Sequence, residues 1–346
     1  MIDIHSYMND KTYITLDLME KFDGQLRWKI GLGTHPCIRT RVDKRCTFCG
    51  FTDLPHPLPA NKVDTVFQTL LQRTPLDSVK RLELYVSGSF FDDVEVAPES
   101  RLAILRSFCQ TPISEILIES RPEFITAANL NALTEVIEPH RITVGIGVET
   151  MNDEARKPLS KGTTTKKIVQ SIQLIAQAGM NFQAYFLLKL PGAKNDQEAV
   201  QHFMRDVQTL LDLTQDQMCT ITVALQPTFV AHNTAFVQDF EQGMFRPVWL
   251  YTIALVLQKL LRLKADYPRM QIILGNENDN VEVIAIPTNY ADLATHQPCA
   301  CSQSMRELLH HANESEQQLT SVIQQLLESP CACKLLWQEE MQLTSL

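Results

Sequence analysis

The sequence predicts an α/β protein built on a parallel sheet in partial-barrel form, a (β/α)6 arrangement, with a C-terminal α+β extension. Three observations predict it. Short β-branched or apolar runs alternate with longer helical patterns from about residue 25 to about residue 230, the rhythm of a parallel sheet with helices outside it. Polar and glycine-containing residues gather where those runs end, and parallel α/β folds bind ligands at the carboxyl ends of their strands. From about residue 251 the rhythm changes.

The expected strands, in order, are "WKIGLG", "RLELYVSG", "EILIES", "RITVGIGVE", "FQAYFLLKLP" and "CTITVALQP". The helical patterns between them are "NKVDTVFQTLLQR", "ESRLAILRSFCQ", "TAANLNALTEVI", "TTTKKIVQSIQLIAQAG" and "DQEAVQHFMRDVQTLLDL". After them come the apolar helix "VWLYTIALVLQKLLRLK", two short strands ("MQIILG" and "VEVIAI"), a loop and two helices. The expected division is therefore a barrel over residues 1–250 and an extension over 251–346.

Composition narrows the function classes. A chain of 346 residues with 45% hydrophobic and 21% charged residues is ordinary for a globular enzyme. Net charge is −9, from 31 Lys+Arg against 40 Asp+Glu, and nucleic-acid binders usually carry a basic face. The balance counts against tRNA; "RTRVDKR", Arg39 to Arg45, is the best local basic patch. "MIDIHSYMNDKTYITLDLMEKF" scatters acids and has no apolar core, so no secretory signal is expected. No run reaches the roughly 18 apolar residues of a membrane span. A cytoplasmic location with reduced thiols follows as the expectation.

Nine cysteines are unevenly placed. Cys109 and Cys219 stand alone among apolar residues and are expected to be small core side chains. Cys37, Cys46 and Cys49 form a cluster, with eight residues between the first two and two between the last two. A cubane iron–sulfur cluster normally takes four thiolates. Three would leave one iron open, and open positions are where metal centres take substrates or cofactors. The alternatives are a structural zinc closed by His35, and a redox dithiol at Cys46–Cys49 that leaves Cys37 unexplained. Cys299, Cys301, Cys331 and Cys333 make two Cys-x-Cys pairs. Four thiolates with no open position suit a closed tetrahedral zinc, or an auxiliary iron–sulfur cluster, with no metal as the third alternative, since the one-residue gap departs from the usual Cys-x2-Cys of zinc sites. At the strand ends lie Ser87-Gly88-Ser89, Glu119-Ser120-Arg121, Gly145 to Glu149, Lys189 and Gln226.

Three cysteines after the first barrel strand, with Phe48 inside "CTFCG", resemble the radical S-adenosylmethionine (SAM) superfamily, whose usual first gap is three residues rather than eight. "YVSGSFFDD", "IESRPEFI", "VGIGVET", "LSKGTTTKKIVQSIQLIAQAGMNFQAYFLLKLPG", "ALQPTFVAHNTAFVQDFEQGMFRPVWL" and "PCACS…PCACKLLW" are similar, in order, to the radical SAM subunit of archaeosine synthase, a relative of the elongator catalytic subunit. The resemblance runs from about residue 27 to about residue 340.

The resemblance implies that Cys37, Cys46 and Cys49 bind a [4Fe–4S] cluster whose open iron takes the amino and carboxylate groups of SAM. It implies cofactor contacts from Phe48 and Gly50, from Ser87, Gly88, Ser89 and Phe90, and from Glu119 and Arg121. Glu149 and Lys189 are the implied catalytic residues, with Lys161, Gly162 and Gln226 nearby. One electron from a low-potential donor such as flavodoxin or ferredoxin would cleave SAM to a 5′-deoxyadenosyl radical, which takes a hydrogen from the substrate. The implied reaction is C–N cleavage of a lysine adduct on a 7-deazaguanine of tRNA, with a second protein subunit as partner. The alternative keeps the radical chemistry on a small molecule, or on an amino-acid or nucleoside adduct, of a bacterial biosynthetic pathway. A third reading, of another class, is a non-catalytic zinc-binding module.

Overall fold

The computed structural model describes residues 13–51, 54–275 and 281–342; residues 1–12, most of the stretch that argues against a secretory signal, lie outside them. Twelve strands are described: β1 (Ile14–Phe22), β2 (Gln25–Leu32), β3 (Val79–Tyr85), β4 (Glu115–Glu119), β5 (Ile142–Glu149), β6 (Asn181–Leu188), β7 (Ile221–Pro227), β8 (Val230–Ala231), β9 (Met270–Leu274), β10 (Val283–Ala285), β11 (Tyr290–Asp292) and β12 (Gln297–Pro298). The described helices are α1 (Ile38–Arg41), α2 (Val63–Leu71), α3 (Pro98–Arg106), α4 (Ala127–Thr134), α5 (Asp153–Arg156), α6 (Thr165–Gln177), α7 (Asp196–Thr214), α8 (Phe236–Glu241), α9 (Leu250–Lys264), α10 (Ser302–His310), α11 (Glu316–Glu328) and α12 (Cys333–Glu340). Eight strands form one sheet in the order β1-β2-β3-β4-β5-β6-β7-β9. This is the expected α/β class: a partial (β/α)6 barrel on β2 to β7, with added edge strands and a C-terminal α+β extension.

Two compact units interleave along the chain. The first takes Met1–Lys44, Phe51–Ile146 and Lys166–Phe182. Its sheet opens with a hairpin that the sequence reading passed over. Asp23 and Gly24 both have positive φ, 47° and 70°, the turn an Asp-Gly pair favours, and β1 runs antiparallel to β2. Parallel registers follow from β2 to β3 and from β3 to β4.

One face of these strands carries charge. Arg27 Nη1 and Arg81 Nε donate to Glu83 Oε1 at 3.1 and 2.7 Å, and Tyr85 donates to Glu83 Oε2 at 2.6 Å. Burial works against the Glu83 carboxylate, but Arg81, Arg27 and Lys29 pull its pKa down to about 2. The other face is apolar. Helix α6 turns Ile168, Ile172 and Ile175 into the core, all fully buried. That spacing is one helical face, and each such side chain stabilises by about 1.5–3 kcal/mol. Gly179, φ 73°, ends it.

The second unit takes Arg45–Gly50, Gly147–Thr165 and Gln183–Leu346. Here "MQIIL" does not stay with the extension's small sheets. It becomes β9, parallel to β7 with Ile221 opposite Met270. Helix α7 starts at Asn195, whose side chain accepts from the Glu198 N–H at 2.9 Å. No helix among the described residues is long and apolar enough to cross a membrane.

Of the two isolated cysteines, Cys219 is buried and Cys109 is exposed. Helix α3 ends at Arg106, so Cys109 lies beyond its apolar face, against the expectation of a core position.

Candidate functional site

In the first unit the turn after β3 borders Cys37 and is joined to the end of β4. The turn after β3 is tied to the end of β2. The Ser87 N–H donates to Thr34 Oγ1 at 3.1 Å, and Ser87 Oγ donates to the Thr34 carbonyl at 3.0 Å. The Ser89 hydroxyl accepts from the Arg121 N–H at 2.9 Å. Both serines are thus committed to backbone. The residue between them faces the cysteine: a Cβ on Gly88 would stand 2.6 Å from Cys37 Cβ and 2.7 Å from Cys37 Sγ. Only glycine leaves that thiol its place. Phe90 is fully buried, edge-on to Phe91, and supports the turn from the core side. Its N–H donates to the Glu119 carbonyl at 2.8 Å. Arg121 is buried and pairs with Glu123.

The sequence reading missed Glu95. This carboxyl has no solvent exposure. Its Oε2 accepts from the Ser89 N–H at 3.0 Å, and its Oε1 has no partner. The same missing Cβ on Gly88 would sit 2.8 Å from Glu95 Oε1, so the thiol and the bare carboxyl oxygen both border the space that a side chain here would take. "FFDDVEV" carries no signal for this, because three acids in a short stretch read as a solvated turn.

Burial pushes the Glu95 pKa from 4.5 up to about 8, against the Ser89 N–H that favours its ionised form. Above its ordinary pKa the unfolded chain releases this proton, while the folded chain keeps it until about pH 8. The Glu95 contribution to stability is therefore whole below pH 4.5 and is lost as pH rises towards 8. Glu95→Gln removes that slope. Between pH 6 and 8 the wild type purified without metal is expected to lose roughly 2 kcal/mol more stability than Glu95→Gln. Urea midpoints at the two pH values check it, and parallel losses would refute it.

The second unit holds Cys46 and Cys49 in a loop pinned by backbone. The Thr47 N–H donates to the Leu159 carbonyl at 3.1 Å, and the Ala235 N–H donates to the Thr47 carbonyl at 2.8 Å. Lys161 stands 5.5 Å over the Phe48 ring and donates to Glu149 Oε1 at 2.7 Å. Glu149 closes β5 with φ 62°, a left-handed conformation that non-glycine residues adopt at a cost. A Cβ on Gly50 would strike the Ala231 and Val281 side chains, so Gly50 lets the loop end close onto that strand.

Lys189 closes β6 with φ 76°. Its ammonium is buried and donates to Asp196 Oδ1 at 2.9 Å. Asp196 is fully buried, and its Oδ2 accepts from the Trp249 N–H at 2.9 Å and from Thr252 Oγ1 at 2.7 Å. The Trp337 indole donates to that hydroxyl at 3.0 Å. Glu340 accepts from the Asp196 N–H at 3.2 Å and from the Trp249 indole at 2.8 Å, and pairs with Arg246. A strand-end lysine is thus wired to α12.

That helix begins at the second cysteine set. Cys299 Sγ lies 3.4 Å from Cys331 Sγ, and Cys301 Sγ lies 3.5 Å from Cys333 Sγ. All four sulfurs lie within 4.8 Å of one another. Tetrahedral zinc with Zn–S bonds of about 2.3 Å sets its thiolates ~3.8 Å apart, so the set fits one metal ion. Among the described residues this is the one group of three or more such side chains gathered for a single ion.

Residues 43–204 match the model of the radical SAM superfamily. The archaeosine synthase subunit beta of Methanosarcina acetivorans is 24% identical over 285 residues, covering 76% of this chain and 80% of that protein. The subunit of the same name from Thermococcus kodakarensis is 26% identical over 252 residues, covering 70% and 73%. The crystal structure of Streptococcus suis SuiB bound to S-adenosylmethionine superposes with a TM-score of 0.50 at 11% identity, over 75% of this chain and 52% of that one; it bears on the fold alone.

Proposed function

We propose, from the match of residues 43–204 to the radical SAM superfamily, that this chain cleaves SAM reductively and takes a hydrogen from its substrate in a C–N lyase reaction, as in archaeosine formation. Radical SAM domains work with SAM and a [4Fe–4S] cluster, and such enzymes need a reductant. Bound at Cys37, Cys46 and Cys49, the cluster would supply the electron that breaks the sulfonium. The observation that carries the reading is Gly88, where a side chain would overlap Cys37, so that the strand-end backbone borders the thiol. In this reading the Ser87 to Phe90 turn presents backbone to SAM, with Glu119 and Arg121 on the next strand end. Phe48 and Gly50 shape the loop between Cys46 and its anchors. Glu95 Oε1, buried and unpartnered, is the acceptor the turn offers to an ammonium. Glu149, paired with Lys161, and Lys189, paired with Asp196, are the candidate catalytic groups.

A flavodoxin or ferredoxin is the proposed donor, and a second subunit the proposed partner, since two relatives bear the name of a subunit beta. The net charge of −9 favours a second reading of the substrate: a small molecule or a nucleoside or amino-acid adduct rather than tRNA. At Cys299, Cys301, Cys331 and Cys333 we propose a single structural zinc in the 251–346 extension.

The test is anaerobic purification with metal analysis, then dithionite and SAM. The expected protein is brown, carries about four irons and one zinc per chain, and releases 5′-deoxyadenosine. Removal of the zinc alone is expected to lower thermal stability and leave the iron in place. A colourless protein with zinc at both cysteine sets and no SAM cleavage would make the chain a zinc-binding module.

A further inference from the structure

A cavity in the second unit is lined by residues to which the proposed function gives no role; of them, Gln226 alone is among the strand-end residues that the family resemblance sets near the catalytic ones. It opens where the adjacent parallel strands β7 and β9 end, the edge of such a sheet that takes ligands. Its floor is apolar: Leu250 and Ile253 from α9, Leu274 from β9 and Leu309 from α10. Its volume of about 70 Å³ admits roughly five to seven water-sized groups, the end of a ligand rather than a whole nucleoside.

Three polar side chains stand at the rim: Gln226, Arg306 and His310. Arg306 and His310 are four residues apart on α10 and share a helix face. The Gln226 amide lies flat against Gly275, where any side chain would overlap it. The strand end itself is clamped: Asn313 accepts from the Leu274 N–H at 2.9 Å and donates to the Leu274 carbonyl at 2.7 Å. No carboxylate lines the cavity among the described residues. Among the described residues Arg306 reaches the Thr288 hydroxyl at 3.4 Å, a weak contact for a group with five donors.

We infer that this cavity binds an aliphatic oxyanion, with an apolar stem on the α9 face and a carboxylate or phosphate on Arg306, aided by His310 and the Gln226 amide. A planar guanidinium matches either oxyanion in a two-point contact, and the floor offers nothing to a polar stem. The inference goes beyond the radical chemistry and stands or falls without it.

The test is an NMR titration of the methyl-labelled full chain with pentanoate, butyl phosphate, pentan-1-ol and pentylamine in turn. Pentanoate or butyl phosphate is expected to shift the Ile253 and Leu309 methyls saturably; the tighter of the two identifies the head group. Arg306→Gln is expected to weaken the anion about tenfold or more, with pentan-1-ol unaffected and signals elsewhere unmoved. Ile253→Trp, which fills the floor, is expected to abolish binding of both. Pentylamine binding as tightly as the anions, an unchanged anion affinity in Arg306→Gln, or no shift at these methyls would each overturn the inference.

Discussion

Replacing Cys46 by alanine is expected to leave the chain folded and to reduce 5′-deoxyadenosine release to background. A cubane cluster left with two protein thiolates loses its seat, and without it no electron reaches SAM. The fold should survive because backbone, not sulfur, holds this loop: Leu159 and Ala235 clasp Thr47 on both sides. Iron per chain and released 5′-deoxyadenosine are the measurements. His35→Ala is the companion variant, since a zinc closed by His35 would be lost with it while a three-thiolate cluster would not. Cys46→Ala protein that keeps its iron and still cleaves SAM would remove the triplet from the mechanism. Metal lost from His35→Ala would restore the zinc reading. Cys301→Ala should do the converse of Cys46→Ala, losing zinc and stability but not iron.

The second large effect is expected at Asp196, far in sequence from both cysteine sets. Asp196→Ala strands the buried Lys189 ammonium and orphans the Trp249 N–H and the Thr252 hydroxyl. Removing one partner of a buried pair costs about 3–5 kcal/mol. Lys189→Met should cost less, because the carboxylate keeps two donors. Urea unfolding measures both, and equal midpoints for wild type and Asp196→Ala would show that the network contributes nothing. Lys189→Met also tests the role proposed for that residue. A folded variant that cleaves SAM but forms no product makes Lys189 catalytic. One that turns substrate over at the wild-type rate assigns Lys189 to the buried network alone.

These two sites show what a linear sequence carries and what it does not. The parallel strands and their helices were legible because their signals are local: an apolar run, a 3.6-residue period, a cap such as Asn195. The β1–β2 hairpin was legible too, in Asp23-Gly24, but lay outside the alternating pattern that drew the reading. "MQIIL" reads as a strand, yet nothing within it names β7 as its neighbour. Both cysteine sets stand out in the sequence because thiols are rare and spacing exposes them, and the structure gathers the four of the C-terminal set. Lys189 was singled out as a strand-end cation; that Asp196, Thr252 and Trp337 enclose it depends on contacts spanning up to 85 residues. Glu95 had no local signature at all. Its meaning comes from burial, and burial belongs to the folded chain.

The clasp on the cysteine loop also sets an order of events during synthesis. Thr47 leaves the ribosome 188 residues ahead of Ala235, its later anchor. At about 5–20 residues per second that is a wait of roughly 10–40 s. Through that interval Cys46 and Cys49 belong to a nascent chain whose clasp has not yet been made. Metal delivered then would meet an unshaped loop, open to whichever ion arrives first. Loading after release, by a donor that recognises the finished chain, avoids that competition.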